Sequence, residues 1–279
     1  MKVKSESEVT ESCPTPSDPM DYSLPGSSIH GIFQARVLGA DLVATGHYAC
    51  IVRKDNGRYS VKQAQHAAKD QTYMLYRLSQ EQLSRTLMPL GDYGKDRVRE
   101  IAYKAGIPVA DKPDSQEICF VPDGHYTDFI RKNTDREIPG EGDFVDEDGK
   151  VLGRHKGIFH YTVGQRKGLG LPLGYPAYVK EIRTDTNEVV VGDESSVMTC
   201  VIECNRVNYL GIEGLMSGEK ISARTKIRYH HKAAPSKVEA IGEDRIRITF
   251  DEPVKAPAPG QSAVFYDEED CVVGGGIIL

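Results

Sequence analysis

Asp41-Leu42-Val43-Ala44-Thr45-Gly46-His47-Tyr48 is the stretch that decides the fold of the first half of this chain. Its first four residues predict a buried strand, which is followed by a loop that contains a glycine and a histidine. Upstream, Ser28 can cap a helix that ends near Gly39. A helix, a strand and a glycine loop in this order are typical of α/β folds, where ligands bind at the carboxyl ends of the strands. Gly46 would let a ligand approach the backbone and His47 could hydrogen-bond it, although a tight turn also explains the pair.

The following segments alternate between hairpin and helix signals. Residues 50–61 predict a hairpin with an Asp-Asn-Gly turn. Lys69-Asp70-Gln71 then offers a cation, an anion and an amide directly before an apolar and aromatic helix. Two further helices are predicted, one capped by Ser79 and running through Leu87, and one from about residue 95 to 105.

The segment from Asp114 to Gly124 places one thiol where a structural element ends. Residues 118–121 read as a short strand, and Pro122-Asp123-Gly124 turns the chain. Cys119 therefore lies at an element edge, where loops often carry chemistry. A small buried hydrophobe is the alternative interpretation of this cysteine.

Length and composition favour two or three domains in this chain of 279 residues. No apolar run approaches membrane-spanning length, and the first 25 residues are polar and contain acidic residues, which argues against a signal or transit peptide. We therefore expect a cytoplasmic protein without a membrane partner. Its six cysteines should be reduced, and the pair Cys200 and Cys204 lacks a second pair at zinc-ligand spacing, so we expect no metal site.

The second half of the chain changes to short strands separated by turns. We place a domain boundary near residues 124–140, after which residues 178–192 form a hairpin and six strand-like runs follow from about residue 200. This spacing predicts a compact β-barrel or sandwich. The runs lie at 201–203, 220–226, 236–240, 245–250, 263–266 and 272–273.

Two basic stretches in this half could contact nucleic acid despite the net charge of −6. Residues 154–170 interleave cations, aromatic rings and glycines without a carboxylate, which suits phosphate and base contacts. In residues 224–232, alternation places Arg224, Lys226 and Arg228 on one strand face as a phosphate stripe. A solvated loop and a solvated strand face are the respective alternatives.

Taken together, these motifs resemble the tRNA-specific 2-thiouridylases, and their ordered series from about residue 28 to the C-terminus is more specific than any one of them. The matching segments are 38–41, 44–48, Lys69-Asp70-Gln71, Asp114-Ser115-Gln116-Glu117-Ile118-Cys119-Phe120, 161–170, Arg228-Tyr229, 259–266 and Gly274-Gly275-Gly276.

The resemblance implies that the first part has an α/β fold and is a partial adenylating domain of the PP-loop type. A small β-rich central domain and a C-terminal β-barrel would follow it. The corresponding boundaries are a divergent leader at 1–27, the adenylation domain at 28–125, the central domain at 126–198 and the barrel at 199–279.

The resemblance also implies an enzyme that thiolates the wobble uridine of tRNA. ATP, a cosubstrate accompanied by Mg, would activate the uridine C2 oxygen as an adenylate, and a cysteine persulfide would deliver sulfur. No tightly bound cofactor is implied. Matched by motif, Cys119 is the catalytic cysteine and Gly46 lies at the ATP site. The positions that match tRNA contacts are His47, Lys69, Asp70, Gln71, Arg228, Tyr229 and Gln261. The implied partners are tRNA and a sulfur-relay or cysteine-desulfurase-type donor protein, and the implied state is a monomer.

The sequence departs from the family pattern before Ser28. The family's Ser-Gly-Gly-x-Asp-Ser loop, which holds pyrophosphate, does not occur in this sequence. The family's second cysteine, which resolves the persulfide by forming a transient disulfide, belongs to a Cys-Asn motif about twenty residues before the Ala-Thr-Gly-His segment, and that region here reads Tyr22-Ser23-Leu24-Pro25-Gly26. Cys13 and Cys50 both lie outside that motif and are weak candidates for the second cysteine. We therefore expect an N-terminally truncated member that binds ATP weakly. A tRNA-binding remnant without turnover is the main alternative, and a thiol-based redox or sulfur-carrier protein unrelated to RNA is a further one.

Overall fold

A computed structural model of the chain describes residues 40–66, 69–108, 133–134 and 138–279. The predicted leader, the helix after Ser28, and Cys119 with its strand and turn lie outside the described residues. None of the helices in the described ranges is long and apolar enough to cross a membrane.

The described segments before residue 109 contain three short helices and two small strand pairs. The helices are α1 (Thr72–Leu75), α2 (Gln80–Ser84) and α3 (Lys95–Lys104). The strands are β1 (Val43–Ala44), β2 (Ala49–Arg53), β3 (Tyr59–Gln63) and β4 (Thr86–Leu87). We refer to these segments as the N-terminal part.

Two expectations about the N-terminal part are wrong. Only Val43 and Ala44 form a strand, because the parallel partner β4 offers just two residues for pairing, and the side chain of Leu42 is 53% exposed rather than buried. The Ser79–Gln82 capping box is confirmed, but α2 ends at Ser84 instead of running through Leu87. Thr86 and Leu87 pair with β1, and this pairing removes them from the helix.

The predicted hairpin at 50–61 is confirmed as the antiparallel pair β2–β3, with Gly57 at φ +82° in its turn. This hairpin is fixed to the C-terminal half of the chain. The Arg58 guanidinium donates to the carbonyl oxygens of Leu210 and Tyr209, each at 2.9 Å, and the Ser60 hydroxyl donates to the Val272 carbonyl at 2.6 Å. The hairpin is therefore part of the interface with the C-terminal half.

The helix expected from about residue 95 is confirmed as α3, and the chain leaves it through Gly106 at φ +68°. Its apolar stripe is less buried than the pattern indicates, since none of its residues is buried and Ile101 is exposed. Helix α3 therefore contributes no fully buried side chain to the core of the described structure.

The central β-rich domain contains a four-stranded sheet in the order β6-β5-β8-β7. The expected hairpin at 178–192 is confirmed as β7–β8, and β8 also pairs with β5 in parallel. The strands are β5 (Gly142–Val145), β6 (Val151–His155), β7 (Tyr178–Arg183) and β8 (Glu188–Gly192). The core of this domain contains Phe144, Ile158, Leu169, Ala177, Val179, Val189 and Val191.

Six strands close into the predicted C-terminal barrel, in the order β10-β11-β12-β9-β14-β13. All six strand-like runs in the sequence fall within these strands. Alternation along them fills the interior, as in β12, where Ile246, Ile248 and Phe250 are buried and the residues between them are exposed. The strands are β9 (Met198–Tyr209), β10 (Lys220–Lys226), β11 (Ala234–Gly242), β12 (Arg245–Lys255), β13 (Ser262–Tyr266) and β14 (Val272–Ile278).

The three consecutive glycines of β14 allow close packing against this strand. A Cβ atom on Gly275 would lie 2.5 Å from Tyr76 Cδ2 in the N-terminal part and 2.9 Å from the Ala263 carbonyl oxygen. A Cβ on Gly274 would lie 2.6 Å from the carbonyl oxygen of Asn208 on β9. These positions therefore exclude a side chain for steric reasons, which accounts for the Gly274-Gly275-Gly276 run.

We predict that Gly275→Ala lowers the free energy of unfolding by about 1–3 kcal/mol, because the added methyl group overpacks a closed interface. Gly242→Ala is the matched control in the same barrel, since its Cβ would meet only Arg245 Cβ at 3.8 Å, and it should stay within about 1 kcal/mol. Urea denaturation measures both variants. Equal stabilities of the two variants would contradict the packing role assigned to Gly275.

Candidate nucleic-acid interface

A buried ion pair joins the N-terminal part to the barrel. Lys226 Nζ lies 3.2 Å from Asp70 Oδ2, and the two side chains are 13% and 2% exposed. The Asp70 carboxylate also accepts a 2.8 Å hydrogen bond from the Thr72 hydroxyl, which lies 3.1 Å from the Tyr266 hydroxyl. These contacts occupy the Asp70 carboxylate within the protein. Asp70 would therefore influence a ligand by orienting the ammonium group of Lys226.

The predicted site residues His47 and Gln71 lie on neighbouring backbone. The Gln71 side-chain oxygen accepts from the Tyr48 amide at 2.9 Å, and the Gln71 amide donates to the Tyr48 carbonyl at 3.1 Å. His47 is half-buried, with Nδ1 3.0 Å from the Thr45 hydroxyl oxygen, and burial lowers its pKa. These contacts fix the Thr45–Tyr48 loop beside the Lys69-Asp70-Gln71 segment.

Aromatic rings connect this segment to Tyr229 and Gln261. The rings of Tyr73 and Tyr229 pack edge to face at 6.2 Å between centroids, and the Tyr73 hydroxyl donates to the Ser262 carbonyl at 2.7 Å. Burial is the main cause of the raised pKa of Tyr229, and the negative charge of Asp70 adds to it. Gln261 is exposed directly before Ser262. The structure thus brings together residues from segments that are almost 200 positions apart in the sequence.

A basic cavity of about 420 Å³ opens beside the Asp70–Lys226 pair. Arg224 is partly neutralised there, because its guanidinium donates to Asp270 and to the Asp267 carbonyl, each at 2.8 Å. Lys232 has no ion pair among the described residues. The lining residues are Gln63, Asp70, Arg224, Lys226, Tyr229, His230, His231, Lys232 and Ala233.

The cavity agrees only in part with the phosphate stripe expected from the sequence. Arg224 and Lys226 line it, whereas Arg228 is turned toward the central domain and donates to the carbonyl oxygens of Val163 and Ala256. His231 and Lys232 take its place, because the chain leaves β10 after Lys226 and folds back over the cavity. Strand alternation could not indicate this turn.

The second basic stretch, residues 154–170, divides into structural and exposed residues. His155 is buried, its Nδ1 accepts from the Gly157 amide at 3.0 Å and its Nε2 donates to the Asn187 carbonyl at 3.0 Å. Arg166 and Lys167 are exposed and have no ion pair within the described structure. Only part of this stretch is therefore available for phosphate contacts.

Gly46 lies at the carboxyl end of β1, as expected, and is exposed. A Cβ atom there would meet only Leu90 Cδ1, at 3.8 Å, so the backbone is open to close approach on that side. This opening leaves room for a ligand beside the backbone of the loop. In the described part of the chain, Thr45, Gly46 and His47 are the residues of this loop that could contact ATP.

Two of the described cysteines, Cys50 and Cys204, do not form reactive thiolates. Burial and the Asp92 carboxylate raise the pKa of Cys50 to about 11, and burial raises that of Cys204 to about 12. Both thiols are neutral at pH 7 and poor nucleophiles. Cys119, the predicted catalytic residue, lies outside the described residues.

Asp267, Glu269 and Cys271 present ligand atoms within 4.8 Å of one another, which resembles a metal site. The ammonium group of Lys54 lies 3.0 Å from Asp267 Oδ2 and 2.8 Å from Glu269 Oε2. Since a cation from the protein already satisfies these carboxylates, the cluster is a structural contact between the β2–β3 hairpin and the barrel.

Comparison with known proteins identifies the three parts of the chain. Residues 30–123 match the family profile described as a tRNA methyl transferase HUP domain, residues 127–193 match a tRNA methyl transferase PRC-barrel domain, and residues 200–278 match an aminomethyltransferase beta-barrel domain. These matches agree with the α/β, β-rich and barrel order seen in the sequence and the fold. ATP and nucleotide binding fit a HUP domain.

Curated relatives match most of the chain. It is 52% identical over 242 residues to the tRNA-specific 2-thiouridylase MnmA of Lachnoclostridium phytofermentans, with 87% of this chain and 67% of the relative covered. It is 50% identical to MnmA 1 of Clostridium tetani (86% and 65% covered) and 49% identical to MnmA of Clostridioides difficile (88% and 67% covered). The chain thus spans about two thirds of the length of these relatives.

We predict that Lys226→Met lowers the free energy of unfolding by about 3–5 kcal/mol, because it leaves the Asp70 carboxylate buried without a cation. The double variant Asp70→Asn/Lys226→Met should recover most of this loss. Lys220→Met is the control, since its pair with Glu239 is exposed and is worth about 1 kcal/mol or less. Urea denaturation of the wild type, Asp70→Asn, Lys226→Met and the double variant completes the cycle, with Lys220→Met measured beside it. A Lys226→Met effect as small as that of the control would contradict the role of the pair.

We predict that His47 and His231 titrate below the ordinary histidine value of 6.5. Burial is the main cause for both, and the positive charge of Arg228 adds to it for His231. Because the unfolded chain then binds more protons, these residues should reduce stability as the pH falls through 6.5 toward their folded values. NMR titration of the ring protons, assigned with His47→Gln and His231→Gln, measures both pKa values, and a value above 6.5 would contradict the prediction.

Proposed function

Because this chain belongs to the tRNA-specific 2-thiouridylase family, we propose that it acts as a tRNA-uridine 2-sulfurtransferase on the wobble uridine. The observation that carries the proposal is the basic cavity beside the Asp70–Lys226 pair, with the aromatic ring of Tyr229 in its lining. Cations with an adjoining aromatic ring suit the phosphates and bases of RNA. The substrate is tRNA, and the reaction takes place in the cytoplasm on a monomeric enzyme.

The chemistry requires an electrophilic carbon and a sulfur nucleophile. When bound with Mg, ATP would supply the AMP group that turns the uridine C2 oxygen into a leaving group, with release of pyrophosphate. Cys119, loaded as a persulfide by a sulfur-relay or cysteine-desulfurase-type protein, directs its terminal sulfur to C2, and the C2–O bond breaks with release of AMP. A second thiol then attacks the Cys119 sulfur, which breaks the S–S bond, leaves the transferred sulfur on the base and forms a disulfide.

The second thiol is not Cys50 or Cys204 in this proposal. Their raised pKa values keep both protonated near neutral pH, and Cys204 is also completely buried on β9. Of the described loops, the one carrying Gly46 is the candidate contact with ATP, because its backbone is open to close approach.

The predicted RNA contacts divide into direct and indirect roles. We assign direct contact to His47, Lys69, Tyr229 and Gln261, whose side chains are at least partly exposed on this face. Asp70 and Gln71 act indirectly, since the first orients the Lys226 ammonium and the second fixes the His47 loop through Tyr48. Arg228 has a different environment, because its guanidinium donates to two backbone carbonyl oxygens.

Binding of tRNA without turnover is the alternative function. The observation in its favour is that the basic cavity is built from the barrel and the adjoining 63–70 region, which contain none of the proposed reacting groups. The two functions differ in the fate of the uridine and agree on RNA binding. A thiolation assay therefore separates them.

We predict that the chain thiolates an unmodified tRNA transcript in the presence of ATP and a persulfide donor, and that Cys119→Ser abolishes the product while tRNA binding is retained. Cys200→Ser, a partly exposed thiol on β9, is the matched control and should keep its activity. Mass spectrometry of nucleosides measures 2-thiouridine. Wild-type binding without product selects the alternative function, and full activity of Cys119→Ser removes the catalytic assignment.

We predict that Lys232→Gln weakens tRNA binding and makes it less salt-dependent. One lost phosphate contact reduces the slope of log K against log salt by about 0.7–0.9. Lys220→Gln, on the same barrel but outside the cavity, should leave the slope within error of wild type. Filter binding between about 50 and 200 mM salt measures both variants, and an unchanged slope for Lys232→Gln would show that RNA does not occupy the cavity.

A further inference from the structure

We infer that Arg228 is a positioning residue that holds the central domain against the barrel, so that the exposed cations of both domains form one rigid RNA-binding face. The inference rests on the proposed function for its RNA ligand. It differs from the role implied by the sequence motif, in which Arg228 contacts tRNA directly.

The Arg228 guanidinium joins two domains through one nitrogen. Its Nη2 atom donates to the Val163 carbonyl of the central domain at 2.7 Å and to the Ala256 carbonyl at the end of β12 at 2.7 Å. Hydrogen bonds from a charged donor are about twice as strong as neutral ones. Arg228 therefore bridges the base of the 161–170 loop and the barrel.

The two backbone segments that Arg228 bridges have conformations that allow this close contact. Gly164 has φ +84°, and a Cβ atom there would lie 2.7 Å from Ala256 Cβ and 3.0 Å from Arg228 Nη2. Ala256 is buried at φ +51°, and its amide donates to the Val197 carbonyl at 2.6 Å. A non-glycine residue with positive φ is uncommon, and such strain persists only where the surrounding structure fixes it.

Further contacts surround this domain joint, which we define as Val163, Gly164, Val197, Arg228 and Ala256. Val163 packs against a small buried cluster that contains Tyr178, Val197 and Ala256. Beside it, Lys255 Nζ lies 3.9 Å from the centroid of the Tyr178 ring, a cation–π contact across the same boundary. The joint therefore combines polar and apolar contacts between the two domains.

The environment of Arg228 disfavours a bidentate phosphate contact. Its Nε atom is buried and has no hydrogen-bond partner among the described residues, so a phosphate could reach it only after the joint opens. Nη2 already serves two carbonyl oxygens. A bidentate phosphate contact would have to displace these bonds, and the domains would then lose their bridge.

Basic residues adjoin the joint along the chain in both domains. Exposed Arg166 and Lys167 follow Val163 by three and four residues, and the cavity residues Tyr229 to Lys232 directly follow Arg228. Two binding surfaces held at a fixed separation reach an avidity about 10²–10⁴ times either affinity alone, whereas loose coupling loses part of this gain. Arg228 thus contributes to RNA affinity by holding the basic residues of the two domains at a fixed separation.

The test compares Arg228→Lys, Arg228→Gln and Gly164→Ala, with Lys232→Gln as the phosphate-contact control. We expect the first three variants to weaken tRNA binding by about tenfold or more with the wild-type salt slope, because they disturb the joint without removing a phosphate contact. All three should accelerate hydrogen exchange of the Ala256 amide in the free protein, while the amides of β11 remain protected. Lys232→Gln should reduce the slope and leave the Ala256 exchange unchanged.

A reduced salt slope for Arg228→Gln, together with wild-type binding by Gly164→Ala, would overturn the inference and identify Arg228 as a phosphate contact. Faster Ala256 exchange with unchanged tRNA affinity in the three variants would also overturn it. If the wild-type protein does not bind tRNA, the proposed function fails, whereas the exchange measurement still reports whether Arg228 and Gly164 hold the joint.

Discussion

The close contact between the barrel wall and the N-terminal part is the constraint on which the rest of the structure depends. The absence of a side chain at Gly275 lets Tyr76 lie directly against β14, and the Tyr76 hydroxyl lies 3.1 Å from the Ser262 hydroxyl on β13. Burial of apolar surface is the main stabilising term in such an interface. The shared core contains Ala49, Val61, Tyr73, Leu75, Tyr76, Leu78, Leu83, Met88, Leu210, Val264, Tyr266 and Val272.

This contact explains why the Asp70–Lys226 pair can exist. Once α1 lies on the barrel, the Asp70 carboxylate is held 3.2 Å from the Lys226 ammonium on β10, with little water around either group. A buried ion pair contributes little net stability, because desolvation offsets much of the attraction, but its geometry is specific. The pair therefore fixes the relative position of the two segments and orients a cation toward the basic cavity.

Local pairing of charges explains how an acidic chain presents basic surfaces. Several cations are offset by neighbouring carboxylates, as in Arg154 with Asp143 and Arg224 with Asp270. Other cations, including Arg166, Lys167 and Lys232, have no ion pair in the part of the chain that the structure describes. The net charge of −6 averages over these groups and says little about any one face.

The sequence by itself determined the local features that depend on neighbouring residues. The β2–β3 turn, the Ser79 cap and the six barrel strands follow from turn residues, capping residues and alternation, and all were predicted correctly. The motif series also indicated the family, because the order and spacing of many short motifs are together specific.

The tertiary structure alone decided the length of β1 and α2 and the environment of each site residue. Thr86 and Leu87 left the expected helix because β1 was available as a partner, and this competition cannot be read from a local window. Asp70 is buried against Lys226, and the half-buried Arg228 donates to two carbonyl oxygens. The sequence specifies which groups are present, whereas burial and partners distant in the chain decide whether a charged side chain binds a ligand or holds the protein together.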